Sequence, residues 1–196
     1  MKLEDGKKMS YAFIEVWRKV SEGGDPTYNG WKLKKLLSFD GGGKWDYTIK
    51  NLPAGKYRLV VEAETKDYGY GPQSYKKGAT VLSGDTIKVK AGKTTKDINV
   101  KLVKAKKEMT DVQVAITGDL VVGETLTASV TGAPGGAELL VTWQRADDYT
   151  IVGGGKTLTL TPDLAGATLE VWVSVYKLGW VPASAFTEVG PISTAR

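Results

Sequence analysis

The feature that most constrains this chain is strict alternation of apolar and polar side chains, repeated along most of its length. Residues 169–176 show it best. Leu169, Val171, Val173 and Val175 alternate with Glu170, Trp172, Ser174 and Tyr176. A period of two puts the first set on one face of a β-strand and the second set on the other. The same pattern recurs at residues 11–20, where Ala12, Ile14 and Val16 oppose Phe13, Glu15 and Trp17. It returns with Trp45, Tyr47 and Ile49, then with Tyr57, Leu59, Val61 and Ala63, then with Ile87 and Val89, then with Ile98, Val100 and Leu102. Past residue 110 it continues in Val112, Val114 and Ile116, in Leu126, Ala128 and Val130, in Val141 and Trp143, and in Leu158 and Leu160. Glycine and proline breaks separate the runs, at 23–26, 40–43, 51–55, 118–119, 134–136 and 153–155. No useful length has helical period. Residues 31–39 are ambiguous, since Leu33, Leu36 and Leu37 fit a short helical stripe while their surroundings favour a strand. The expectation is an all-β fold, two tandem antiparallel β-sandwiches.

The joint is expected at Lys104-Ala-Lys-Lys-Glu-Met-Thr110, which is basic, polar and poor in β-branched residues. This gives a first domain over 1–104, a linker at 105–110 and a second domain over 111–196. Each is of the size usual for a single sandwich.

Charge divides at the same place. Residues 1–108 carry 23 Lys and Arg against 13 Asp and Glu, a net +10, and residues 109–196 carry 4 against 9, a net −5. A basic half invites a nucleic-acid partner. Its cations, however, are 21 Lys and only 2 Arg, and they are spread over many segments. Arginine is the base reader and bidentate phosphate clamp. Dispersed lysine instead suits a solvated coat that keeps sheet edges apart, so no nucleic-acid partner is expected.

Cysteine and histidine are both absent. That removes the thiol nucleophile, the disulfide, the commonest general base and the commonest metal ligand. No apolar run approaches the ~18–20 residues of a membrane span, so no membrane insertion is expected. The first residues are charged and lack the apolar core of a signal peptide. Signal and anchor, where the parent protein has them, are expected outside this segment.

Catalytic candidates are thin. Glu62 and Glu64 share one strand face, and Asp147 adjoins Asp148, but proximity in sequence is their only claim to act as an acid pair. Gly41-Gly-Gly43 and Gly153-Gly-Gly155 read as hairpin turns. Asp40 and Asp46 bracket a glycine turn without the remaining ligands of a calcium loop. No catalytic residue, metal or cofactor is expected. Aromatic residues are the positive signal. Tyr68, Tyr70 and Tyr75 fall in one Tyr- and Gly-rich stretch that reads as a loop, a setting for sugar stacking or protein contact. Trp172 and Tyr176 take the outward face of their strand, and Trp180 lies in the following loop. These three are candidate interface residues.

Two resemblances are carried by these motifs. Gly43-Lys-Trp-Asp-Tyr-Thr-Ile-Lys-Asn-Leu-Pro-Ala-Gly-Lys-Tyr-Arg-Leu-Val-Val-Glu62, with the closing run from Val89 to Leu102, resembles prealbumin-like sandwiches such as carboxypeptidase regulatory-like domains and collagen-adhesin B-type repeats. Some adhesin relatives form a Lys–Asn isopeptide crosslink promoted by a buried acid. The resemblance would assign it to Lys19, Asn99 and Glu62, although Asn99 alternates outward between Ile98 and Val100. The second domain resembles tandem bacterial Ig-like modules. That match rests on Val122-Gly-Glu-Thr-Leu-Thr-Ala128, Thr142-Trp-Gln144, Thr157-Leu-Thr-Leu-Thr-Pro-Asp-Leu-Ala-Gly166 and the run from Leu169 to Val175. Neither resemblance brings catalytic residues.

The resemblances imply a non-catalytic spacer or adhesion module from a larger bacterial surface or secreted protein, located outside the cell. Its expected partners are a cell-wall polymer, a glycan or a host or surface protein. The alternative is a carbohydrate-binding accessory region of a secreted enzyme. A third expectation, a hydrolase using an acid pair, requires a pocket holding two acids of split pKa.

Overall fold

The computed structural model describes residues 2–3, 9–21, 26–43, 46–65, 69–76 and 78–194, with the backbone alone at 2, 3, 27 and 41–43. Trp45, Tyr68 and the break at 23–25 lie outside these residues. The chain divides into two compact units. The first comprises Met1–Glu108 with Tyr176–Pro182, and the second comprises Met109–Val175 with Ala183–Arg196. The described residues form strands and two single turns of 3-10 helix, with no α-helix.

In the first unit the strands are β1 (Lys2–Leu3), β2 (Met9–Lys19), β3 (Trp31–Gly43), β4 (Gly55–Glu64), β5 (Gly69–Ser74), β6 (Ile87–Val89) and β7 (Lys101–Leu102). β3, β2, β4 and β5 run antiparallel in that order, and β6 also pairs with β4. β1 and β7 form a short parallel pair. The inward parity is the one expected. Ala12, Ile14 and Val16 from β2 meet Tyr57, Leu59, Val61 and Ala63 from β4 in the main core. Tyr47, Ile49, Leu52 and Ile98 pack against that core, and Val100 and Leu102 are part of it.

Several expected elements are corrected. The stretch at 31–39 is the strand that its surroundings favoured, but it continues through 40–43, where a turn was expected. Asp40 pairs with Tyr11 and Gly43 with Met9, the extra residue of the bulge lying in β3, so β2 carries the ladder past the glycines. Residues 46–50 keep the alternation, with Tyr47 and Ile49 half-buried and their neighbours exposed, but they form no strand. Of residues 98–102 only the last two are strand.

A small second cluster occupies the other face of the first sheet. Trp17, Trp31, Val60 and Val81 are buried there with Tyr28 against them. The Trp17 and Tyr28 rings lie 4.5 Å apart. The Arg58 guanidinium sits 4.4 Å from the Trp31 ring and donates to the Val81 and Leu82 carbonyls. Arg58 thereby ties 81–82 down over this face.

The second unit has β8 (Gln113–Thr117), β9 (Thr125–Thr131), β10 (Glu138–Arg145), β11 (Ile151–Gly154), β12 (Thr157–Thr159), β13 (Leu169–Tyr176) and β14 (Ala183–Val189). They make a three-stranded sheet, β12-β9-β8, and a four-stranded sheet, β11-β10-β13-β14. The core draws on both sheets: Leu126 and Ala128 from β9, Leu158 from β12, Val141 and Trp143 from β10, and all four inward residues of β13. Trp143 is fully buried, and its indole N–H donates to the Gly155 carbonyl at 2.9 Å. Gly153 and the following glycine belong to β11, which corrects the hairpin expected at 153–155. Only Gly155 turns the chain, at φ 90°. A Cβ at Gly153 would lie 2.5 Å from Leu158 Cδ1, so close packing across the core is what requires glycine there.

Candidate functional site

The stretch holding Tyr70 is a strand rather than a loop, and Tyr75 follows it in a bend. Residues 69–74 form β5 along the edge of the first sheet, with Tyr70 opposite Ala63. An edge strand tolerates the glycines and Pro72 that made it look irregular. Tyr70 is 2% exposed in the core, and Tyr75 is half-buried against it. Neither ring is presented as a free platform.

The acid candidates are placed unevenly. β4 is a central strand, so Glu62 lies on a sheet face rather than a solvated edge. Glu62 is half-buried and Glu64 exposed. Burial, then the Glu15 and Glu64 carboxylates, push Glu62 up to about 7. Burial also raises Glu15, whose carboxylate accepts a 2.8 Å bond from the Trp17 indole that opposes the rise. Glu15 is the member that sequence reasoning missed. Its signal was there, because it takes the outward parity of β2 that Glu62 takes on β4. Asp147 and Asp148 sit in an exposed turn, where the Thr150 amide bonds the Asp148 carboxylate and lowers its pKa. Among the described residues no three acidic side chains are arranged to hold a metal ion. Lys19 donates to the Asn29 carbonyl and lies over the Trp31 ring, while Asn99 is exposed. No described contact brings Lys19 and Asn99 together.

The outward face of β13 is the most organised surface. Strict alternation leaves Trp172 39% exposed. In register it faces Phe186 of β14, which is 56% exposed. The rings stack with centroids 4.7 Å apart and planes 14° from parallel. The Trp172 indole N–H donates to Glu170 Oε2 at 2.9 Å, and Gln144 Nε2 of β10 donates to the same oxygen at 2.7 Å. One carboxylate thus fixes both the indole and its neighbour, so the ring is held ready rather than ordered on contact. Glu170 pairs across the sheet with Glu188, and Ser174 with Ser184. The face therefore offers an aromatic pair between acids and hydroxyls, which suits a partner with an apolar patch flanked by hydrogen-bond donors. Phe186 was not singled out from sequence, although its position opposite Trp172 follows once β14 is recognised.

Tyr176 and Trp180 belong with the first unit. Trp180 bridges in parallel to Lys107, and its half-buried ring lies 5.1 Å from the Lys107 ammonium and 5.5 Å from that of Lys177. Both of those lysines belong to its own unit.

Comparison of the chain with protein-family models and with curated protein sequences finds no match.

Proposed function

We propose that this chain is a non-catalytic spacer or adhesion module of a bacterial surface or secreted protein, built from a prealbumin-like and an Ig-like sandwich and working outside the cell. The observation that carries it is the outward Trp172–Phe186 stack, held by Glu170 and Gln144, on a sheet whose other face is fully committed to a core. Exposed aromatics in contact with one another, on rigid strands, suit adhesion better than scattered single residues do. The Leu52-Pro-Ala-Gly55 turn leading into β4, and the alternating β13, agree with the two families named. No described helix is long and apolar enough to cross a membrane.

The test is binding of the labelled chain to isolated cell-wall polymer, a glycan array and immobilised surface proteins. Adhesion through this face predicts a bound fraction that Trp172→Ala and Phe186→Ala each lower by about tenfold, the scale of a modest contact residue. A pure spacer binds none of them. The proposal is overturned if the chain turns over any of these materials and Glu62→Gln abolishes that turnover.

A further inference from the structure

The first unit also contains an open cleft of about 910 Å3, remote in sequence from the aromatic stack. Its floor includes Tyr57, Leu59, Ile87 and Val89 from β4 and β6, and its walls are residues 46–52, 90 and 92–99. Both walls contain runs that alternate like strands. Tyr47 and Ile49 turn inward between exposed neighbours, and so do Ile98 and Val100. Yet neither run has a ladder partner. Among the described residues, no backbone N–H of 46–50 or 98–100 has an intramolecular acceptor. Among the described residues, the bonds to their carbonyls come from side chains, Lys35 on Lys50 and the Tyr47 hydroxyl on Ile98. Unpaired strand-like backbone beside an apolar floor is the geometry that another strand completes.

The rim states what that strand should carry. Lys50, Lys90, Lys93 and Lys96 line the cleft and are exposed, against Asp46 and Asp97. A strand laid in the cleft would point alternate side chains to the apolar floor and the others to the lysines. We propose that this cleft is a docking site for an extended, acidic peptide segment of a partner protein, alternating apolar with Asp or Glu, which adds to the unpaired 46–50 and 98–100 backbone. A polysaccharide could meet the lysines but not the period of the unpaired amides. This proposal does not rest on the adhesion reading, since a spacer without aromatic contacts would keep the same cleft.

The experiment selects peptides of about ten residues, enough for one long strand, from a random display library on the immobilised full chain. A charge-reversed variant, Lys90→Glu with Lys93→Glu and Lys96→Glu, is run in parallel. These lysines are exposed, and an unchanged circular dichroism spectrum and melting temperature confirm that the variant folds. Expected are enriched acidic alternating sequences that bind the variant at least about tenfold more weakly. N-methylation of alternate peptide amides should cost a similar factor. In hydrogen exchange, the amides of 46–50 and 98–100 should be unprotected in the free chain and protected in the complex. Four results overturn the proposal: no enrichment, equal binding by the N-methylated peptide, protection of those amides before peptide is added, or displacement of the peptide by an anionic wall polymer at equal charge concentration. Self-association of the chain that the three charge reversals abolish overturns it too, because a second copy would then be the occupant.

Discussion

At the scale of single residues, Glu62 shows how a side chain's chemistry depends on neighbours that sequence order hides. On β4 it alternates correctly with Val61 and Ala63, and that much was legible. Its environment was not, because Glu15 reaches it from the adjacent strand β2. The consequence is testable. Folding raises the Glu62 pKa from the ordinary glutamate value to about 7, chiefly by burial. The folded state therefore binds more protons than the unfolded chain between those two values. Stability of the first unit is full below the lower value and falls as pH rises through about 7. Glu62 keeps substantial contact with solvent, so after discounting for screening the loss is about 1–2 kcal/mol. Urea unfolding of the first unit at about pH 5 and about pH 8 should show it, and Glu62→Gln should remove most of the difference. An equal shift in the variant would sink the explanation. Trp143 makes the complementary point. Its place in the second core was legible from Val141 and the surrounding alternation, whereas the Gly155 carbonyl that satisfies its N–H was not. Trp143→Phe should cost about 1–2 kcal/mol of second-unit stability, from one buried hydrogen bond and a partial void, as read from the denaturant midpoint.

At the scale of elements, the all-β class and the inward faces of β2, β4, β9, β10 and β13 were legible, because burial on a strand has a period of two that no other element shares. What alternation reports is which way side chains face, and it is silent on whether the backbone is laddered. Residues 46–50 and 98–100 alternate as well as any strand here, yet they carry no ladder. The reverse error arose at β5 and in the glycines of β3 and β11. Composition there marks a loop, but pairing with β4, β2 and β10 is a tertiary fact that composition does not carry. If β5 is a working strand, removing its buried ring should act as a core deletion. Tyr70→Ala is expected to destabilise the first unit by about 3–5 kcal/mol, whereas a change to a loop tyrosine would stay within about 0.5 kcal/mol. A denaturant midpoint indistinguishable from the parent chain would return the stretch to the surface. The end of β9 offers a second check. Gly132 holds φ 75°, and a Cβ there would lie 2.2 Å from the Asp111 carbonyl oxygen, while Gly135 has open space around it. Gly132→Ala should cost well over the ~1 kcal/mol of a left-handed backbone alone, and Gly135→Ala should be nearly neutral. The difference between their urea midpoints measures it.

At the scale of the whole molecule, two cores of different composition lie within one chain, and membership of a unit does not follow chain order. β13 pairs with β14 from Leu169 to Val175 in the second unit, yet the last residue of β13, Tyr176, and the connection through Pro182 belong to the first. No local signal marks this, since a loop between hairpin strands looks the same wherever it packs. The bonds are specific. Lys106 N donates to the Gly179 carbonyl at 3.0 Å, Val181 N donates to the Lys107 carbonyl at 2.8 Å, and the Trp180 ring receives the Lys107 and Lys177 ammonium groups. A ring that is half-buried between two cations contributes through covered area and through cation–π attraction, the latter about 0.5–1 kcal/mol for each at a partly exposed site. Trp180→Ala should therefore lower the stability of the first unit by about 1–2 kcal/mol. Native-state hydrogen exchange can assign the loss to a unit. Amides of β2 and β4 should exchange faster by about tenfold, while those of β13, only a few residues away in sequence, should keep their protection. Were the β13 amides to lose protection and the β2 amides to hold it, the segment would belong to the sandwich whose strands it connects, and the division of the chain would have to be redrawn at residues 108 and 109 alone.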